Sequence, residues 1–202
     1  MMGPMEQLAQ VLVLAVQLFV ILDPPSSIPA FLALTERESS RKRAKLALTA
    51  TWLILVLMVL FALAGNYLLT ALGISLESLK LGGGLLLLAL ALDTLFGSFG
   101  SEEEGGDRGS AIVLVVTPLL VGPGTITTLI VLSAYYPAHV LLMAVAVASA
   151  LAYACLRFSD VIYRLLGETG VKAASRLMAV LIAAIGCEMI HSALLAWGIA
   201  KA

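Results

Sequence analysis

Three prolines and an aspartate interrupt the first long apolar run of the chain. Residues 22–31 read LDPPSSIPAF. Pro24, Pro25 and Pro29 each lack an amide hydrogen and have a fixed φ angle, so the hydrogen-bond ladder of a helix must open here. The residue before each proline is also disfavoured in the α region. We therefore predict a helix that is interrupted within residues 23–29.

The composition places this interruption inside a membrane. The chain has 202 residues, of which 61% are hydrophobic and 12% are charged, which is far too apolar for a soluble domain. Broken helices at membrane depth are tolerated only where the freed backbone faces protein or a wet cavity. A net charge of −1 offers no electrostatic footprint for nucleic acid. We expect a multi-pass protein of the cell membrane, the inner membrane in a bacterium, with the lipid bilayer as its surroundings.

Hydropathy predicts an all-α membrane protein with six transmembrane helices. A spanning helix needs about 20 apolar residues, and the first predicted span is long enough to require the break. The predicted spans cover residues 6–34, 45–70, 75–97, 110–133, 138–158 and 174–197.

An internal repeat predicts how these spans are arranged. Residues 23–26 (DPPS) align with residues 122–125 (GPGT), each inside an apolar run. Further along, Lys80 and its helix in the first half align with Arg176 and its helix in the second half. Each half then holds three spans, and an odd number inverts the second half relative to the first. Paired breaks in two inverted halves are typical of a transport site.

This repeat defines the predicted organisation of the chain. Residues 1–97 form the first three-helix repeat, 98–110 a linker, and 111–202 the second, inverted repeat, with spans one and four discontinuous. Ten of the 12 basic residues flank the loops 35–45, 98–110 and 158–173. The positive-inside rule places these loops in the cytoplasm and both termini outside.

The two breaks are the predicted binding site. A half-helix that begins near Ser26–Ser27, and another near Thr125, would present free amides that suit a carboxylate, while the carbonyls before Asp23 would suit an ammonium group or a sodium ion. A small zwitterion fits both ends. Capping by Ser26 and Thr125 is the simpler alternative. The predicted substrate-binding residues are Pro24, Pro25, Ser26, Ser27, Gly122, Pro123, Gly124, Thr125 and Thr128, with Thr127 as a further hydroxyl.

Acidic residues in the spans are candidates for ion coupling. A charge at membrane depth is costly and is expected to have a role. Asp23 could bind a cation or sodium transiently, take a proton, or merely cap the following helix, and these alternatives stay open. Glu188 is the second candidate, with His191 on the same helix face and Asp93 at a similar place in the first half.

Other features indicate packing rather than chemistry. Lys80 and Arg176 begin spans and are expected to extend to the membrane surface. The run Gly82–Gly84 favours close helix contact. The two cysteines, at positions 155 and 187, lack metal-site spacing. We expect no metal, no cofactor beyond a coupling ion, and no enzyme activity; a homo-oligomer is left open.

Two motifs resemble those of a known family. Leu22–Thr35 (LDPPSSIPAFLALT) and Thr117–Ser133 (TPLLVGPGTITTLIVLS) are similar to the two signatures of the MarC family of six-span integral membrane proteins. The similarity covers the whole chain, although family members commonly have glycine where this chain has Ser26–Ser27. Some relatives are described as sodium- or proton-coupled transporters of small neutral amino acids such as glycine and alanine, so the resemblance implies that function.

Three functional hypotheses follow from the sequence. The first is a secondary transporter of small neutral amino acids with alternating access at the two breaks. The second is an exporter of amino acids or small toxic compounds with the same architecture. The third is a membrane scaffold that transports nothing, which the acidic residues within the spans disfavour.

Overall fold

All regular structure is helical in the computed structural model, which describes residues 4–96 and 121–200. No strand occurs in these two ranges, so the predicted all-α class is confirmed there. Seven helices are present in them: α1 Pro4–Leu22, α2 Pro24–Leu34, α3 Ser40–Leu72, α4 Leu76–Phe96, α5 Pro123–Tyr135, α6 Ala138–Arg157 and α7 Ser159–Ala196.

Five of these helices, α1, α3, α4, α6 and α7, are long and apolar enough to cross a membrane. The helices that follow the two predicted breaks are shorter, with 11 residues in α2 and 13 in α5. The linker 98–110 and the first part of the fourth predicted span lie outside the described residues. The inverted repeat and its two halves therefore stay predictions.

Two predicted loops are shorter than expected. Helix α3 begins directly after Ser39, whose Oγ accepts a hydrogen bond from the Lys42 amide at 3.4 Å. The connection 35–45 is thereby reduced to residues 35–39. The predicted loop 158–173 is helical and belongs to α7, apart from a kink at Gly167 (φ 67°, ψ 178°). Its apolar residues recur at helical spacing, which the hydropathy of whole spans does not reveal.

The helices pack around two apolar cores. One core joins α1, α2, α3 and α6 with one face of α5, and the other joins α4 and α7 with the end of α1. Helices α4 and α7 share the most extensive contact. They cross where a Cβ on Gly84 would lie 2.5 Å from the carbonyl oxygen of Gly186. The predicted close-packing surface is confirmed for Gly83 and Gly84, whereas Gly82 faces open space.

Candidate functional site: a helix break beside a cavity

The first helix break is confirmed and centres on a single residue. Helix α1 ends at Leu22 and α2 begins at Pro24, with Asp23 in the left-handed conformation (φ 41°, ψ 56°) between them. Asp23 is 6% exposed, and a non-glycine residue in this conformation inside a buried segment is uncommon. The break is narrower than the predicted interval 23–29, because α2 continues through Pro29.

The prolines explain why α2 starts so abruptly. Pro24 and Pro25 occupy its first two positions, where a helix has no internal partner for an amide hydrogen. The Ser26 amide donates to Asp23 Oδ1 at 3.4 Å and to the Asp23 carbonyl at 3.2 Å. The Asp23 amide itself donates to the Phe19 carbonyl at 3.1 Å. Of the amides expected to be free at the start of α2, those of Pro24 and Pro25 do not exist and that of Ser26 is already paired.

The two serines of the first break differ in their hydrogen bonds. Ser26 Oγ donates to the Asp23 carbonyl at 2.8 Å. Ser27 is fully buried, and its Oγ has no hydrogen-bond partner. A serine in a helix usually bonds to the carbonyl four residues earlier, which for Ser27 is the Asp23 carbonyl that Ser26 already uses. Ser27 thus holds an unsatisfied hydroxyl next to the break, and such a group is costly unless something binds it.

The second predicted break has a different local structure. Helix α5 begins at Pro123 after the extended residue Gly122 (φ −76°, ψ 177°), which offers no side-chain cap. Thr127 Oγ1 donates to the Pro123 carbonyl at 2.7 Å, and Thr128 Oγ1 to the Gly124 carbonyl at 2.9 Å. The chain before Val121 lies outside the described residues, so the structure shows the start of α5 but not what precedes it.

Residues beside the two breaks lie in the same apolar core. Leu22 precedes the first break, Val121 lies just before Gly122, and both belong to the core around α1, α3 and α6. Helices α1 and α5 are also in direct contact. Gly124 packs on α4, since a Cβ there would lie 2.6 Å from Leu87 Cδ2. Thr125 and Thr128 are buried as well.

A cavity of about 350 Å³ adjoins the first break. It lies between the start of α2, the end of α4 and α7 just after its kink. Its lining combines hydroxyl, basic and apolar side chains: Ser26, Pro29, Thr94, Leu95, Phe96, Val171, Lys172, Ser175 and Arg176. A volume at the lower end of the range for ligand pockets suits a small solute.

Comparison with known proteins identifies the family. The sequence profile described as MarC family integral membrane protein matches residues 8–197. The chain belongs to the MarC family. It is 37% identical to a UPF0056 membrane protein of Archaeoglobus fulgidus over 88% of each chain. It is 29% identical to the UPF0056 inner membrane protein YhgN of Escherichia coli, over 91% of this chain and 95% of that protein. No solved structure gives a significant match.

The other acidic candidates of this MarC protein occupy different surroundings from Asp23. Glu188 and His191 lie on the exposed face of α7. Asp93 is half-buried near the end of α4, next to the cavity residue Thr94. No hydrogen bond or ion pair described within residues 4–96 and 121–200 joins Glu188 to Asp23. No cluster of three or more potential metal ligands occurs in those ranges either.

Lys80 is buried, which contradicts the expectation that it extends to the membrane surface. It is 7% exposed. Its ammonium group donates to the Tyr135 hydroxyl and, at 2.9 Å, to Ser192 Oγ. It also lies 4.6 Å from the centre of the Tyr135 ring. Lys80 therefore ties α4 to α5 and α7, because hydroxyl acceptors on these two helices hold its ammonium group inside the protein.

An ion pair that the sequence did not predict joins α3 to α7 in this MarC protein. Arg43 Nη1 contacts both carboxylate oxygens of Asp160 at 2.5 Å, and Arg43 Nη2 donates to the Thr35 carbonyl at 2.9 Å. These bonds connect the end of α2, the start of α3 and the start of α7. Residues 117 positions apart carry no local pattern, so only the packed structure reveals the pair.

Proposed function

We propose that this protein is a secondary transporter of small neutral amino acids such as glycine and alanine, driven by a sodium or proton gradient. The observation that supports it most strongly is the buried left-handed break at Asp23, whose neighbour Ser26 lines a cavity of about 350 Å³. Discontinuous helices at a small polar cavity are how many secondary transporters hold their solutes.

Asp23 is the proposed coupling residue. It is buried at the break, and its side chain makes one long hydrogen bond, to the Ser26 amide at 3.4 Å. A carboxylate so weakly engaged can take up a proton or contribute to a sodium site with nearby carbonyls. Ser27 adds an unpaired hydroxyl one helical turn away.

In the proposed alternating-access cycle, one end of the α4–α7 pair is open while the other is closed. The cavity lies at the end that carries Lys172 and Arg176, which the positive-inside rule assigns to the cytoplasm. The other end is packed around Lys80. In this proposal the cavity end and the Lys80 end open in turn.

The direct test is uptake of labelled glycine and alanine into proteoliposomes. We expect uptake above that of empty liposomes when an inward sodium or proton gradient is imposed, and its loss when the gradient is collapsed. Efflux from preloaded vesicles, compared with uptake, determines the direction. Absence of binding and of gradient-driven uptake across the common neutral amino acids would exclude the proposal.

A further inference from the structure

We propose that Arg176 binds the carboxylate of the solute while the hydroxyl oxygens of the cavity accept hydrogen bonds from its ammonium group. This inference rests on the proposed transport function and specifies how the cavity recognises its substrate class. It makes the cavity selective for a zwitterion over a solute that carries only one of the two charges.

The hydroxyl groups of the cavity are oriented as acceptors. Thr94 Oγ1 donates to the Leu90 carbonyl at 2.9 Å, Ser175 Oγ to the Val171 carbonyl at 3.2 Å, and Ser26 Oγ to the Asp23 carbonyl at 2.8 Å. A hydroxyl has one proton and two lone pairs. Since all three protons are used within the protein, these groups can offer only lone pairs to a ligand, and an ammonium group has three donors to satisfy them.

Arg176 is the positive charge left without a partner in the cavity lining. Lys172 is already paired with Glu168 at 2.6 Å. Arg176 makes no hydrogen bond or ion pair described within residues 4–96 and 121–200, and none of the lining residues is a carboxylate. Its planar fork of N–H groups matches a carboxylate in a bidentate geometry.

The start of α2 offers fewer amides for this role than a helix start usually does. Its first two residues are prolines, and the Ser26 amide is already bonded to Asp23. A carboxylate at this cavity therefore gains from a side-chain donor. The sequence favoured amides for the carboxylate, and we assign that role to Arg176, which lines the cavity.

The test compares three ligands that differ by one charged group. Binding of L-alanine, L-alaninamide and propionate to the full-length protein in nanodiscs is measured by calorimetry. We expect L-alanine to bind at least about tenfold more tightly than either analogue, because hydrogen bonds to charged groups are among the strong ones. Arg176→Met should bring alanine and alaninamide to about equal affinity while the preference over propionate persists.

Thr94→Val should reduce the preference for L-alanine over propionate. It removes one acceptor and keeps the shape of the side chain, so alanine should lose a few-fold of its advantage over propionate, since Ser26 and Ser175 remain. Arg164→Met and Thr70→Val are matched controls, because both residues are exposed and lie outside the cavity. Neither control should change a ratio.

The outcomes separate this inference from the proposed function. If the unaltered protein binds alanine but Arg176→Met retains the preference over alaninamide, the inference is wrong and the transport proposal stands. If the unaltered protein binds neither alanine nor glycine, both are wrong. Should Arg176→Met fail to fold, Arg176→Gln gives the same readout, since it also removes the charge.

Discussion

The two ends of the α4–α7 pair carry similar residues in opposite states. At one end Arg176 of α7 and Thr94 of α4 both line a cavity. At the other end Lys80 of α4 donates to Ser192 of α7 at 2.9 Å and is buried under Tyr135. Lys80 and Thr94 are 14 positions apart in α4, which corresponds to about 21 Å along the helix.

The two ends differ in the space that surrounds the basic residue. The predicted repeat aligns Lys80 with Arg176. Each end has a basic residue on one helix and a hydroxyl residue on the other, which are Lys80 and Ser192 at one end and Arg176 and Thr94 at the other. At the Lys80 end, Tyr135 from α5 accepts a hydrogen bond from the lysine, and its ring lies 4.6 Å from the ammonium group. At the Arg176 end, a cavity of about 350 Å³ lies beside the arginine. One pattern of residues thus gives an end packed around Lys80, here called the closed end, and an end with a cavity, here called the open end.

The crossing point between the two ends should be the most sensitive position. Gly84→Ala would place a Cβ 2.5 Å from the Gly186 carbonyl oxygen, and backbone cannot move aside as a flexible side chain can. We expect a loss of stability of about 2 kcal/mol or more, seen as a lower unfolding temperature in detergent. Gly82→Ala is the control: nothing lies within 4 Å of its Cβ position, so it should be neutral or slightly stabilising. Equal effects would mean that α4 and α7 do not cross at these glycines.

Removing the charge at the closed end should open it. Lys80→Met loses the hydrogen bonds to Tyr135 and Ser192 while keeping an apolar stem of similar length. In a Ser26→Cys protein with Cys155 and Cys187 replaced by alanine, we expect labelling by a membrane-impermeant thiol reagent, added from the Lys80 side, to rise about tenfold. Lys45→Met, an exposed lysine of α3, should leave the rate unchanged. A rate that stays the same in Lys80→Met would show that Lys80 does not hold this end closed.

A smaller effect is expected when only the hydroxyl of the closed end is removed. Tyr135→Phe keeps the ring that lies 4.6 Å from the Lys80 ammonium but loses one hydrogen bond. The same labelling rate should rise only a few-fold, since a single hydrogen bond contributes about 1 kcal/mol. Tyr67→Phe is the control, because Tyr67 is 79% exposed. A rise as large as that of Lys80→Met would assign the closure to the hydroxyl alone.

The first break could be predicted from sequence because its cause is local. Two adjacent prolines after an aspartate force a helix to end and another to begin, wherever the segment lies. Its width could not be predicted so well, since prolines fit the first turn of a helix and Pro29 is accommodated inside α2. The expectation of a free amide at Ser26 was wrong, because that amide donates to Asp23.

The cavity and the buried lysine depend on contacts between distant parts of the chain. Arg176 and Lys80 look alike in sequence, and the rule that basic side chains reach the membrane surface predicts the same fate for both. Only the packing of Tyr135 and Ser192 around Lys80 makes them different. The Arg43–Asp160 pair escaped prediction for the same reason.

The coupling role proposed for Asp23 is tested by the Asp23→Asn variant. Asn preserves the size of the side chain and its capping oxygen but removes the charge. We expect alanine binding to change only a few-fold, whereas the stimulation of proteoliposome uptake by a sodium or proton gradient is abolished. Equal loss of binding and of gradient stimulation would contradict it and reduce Asp23 to a cap of α2.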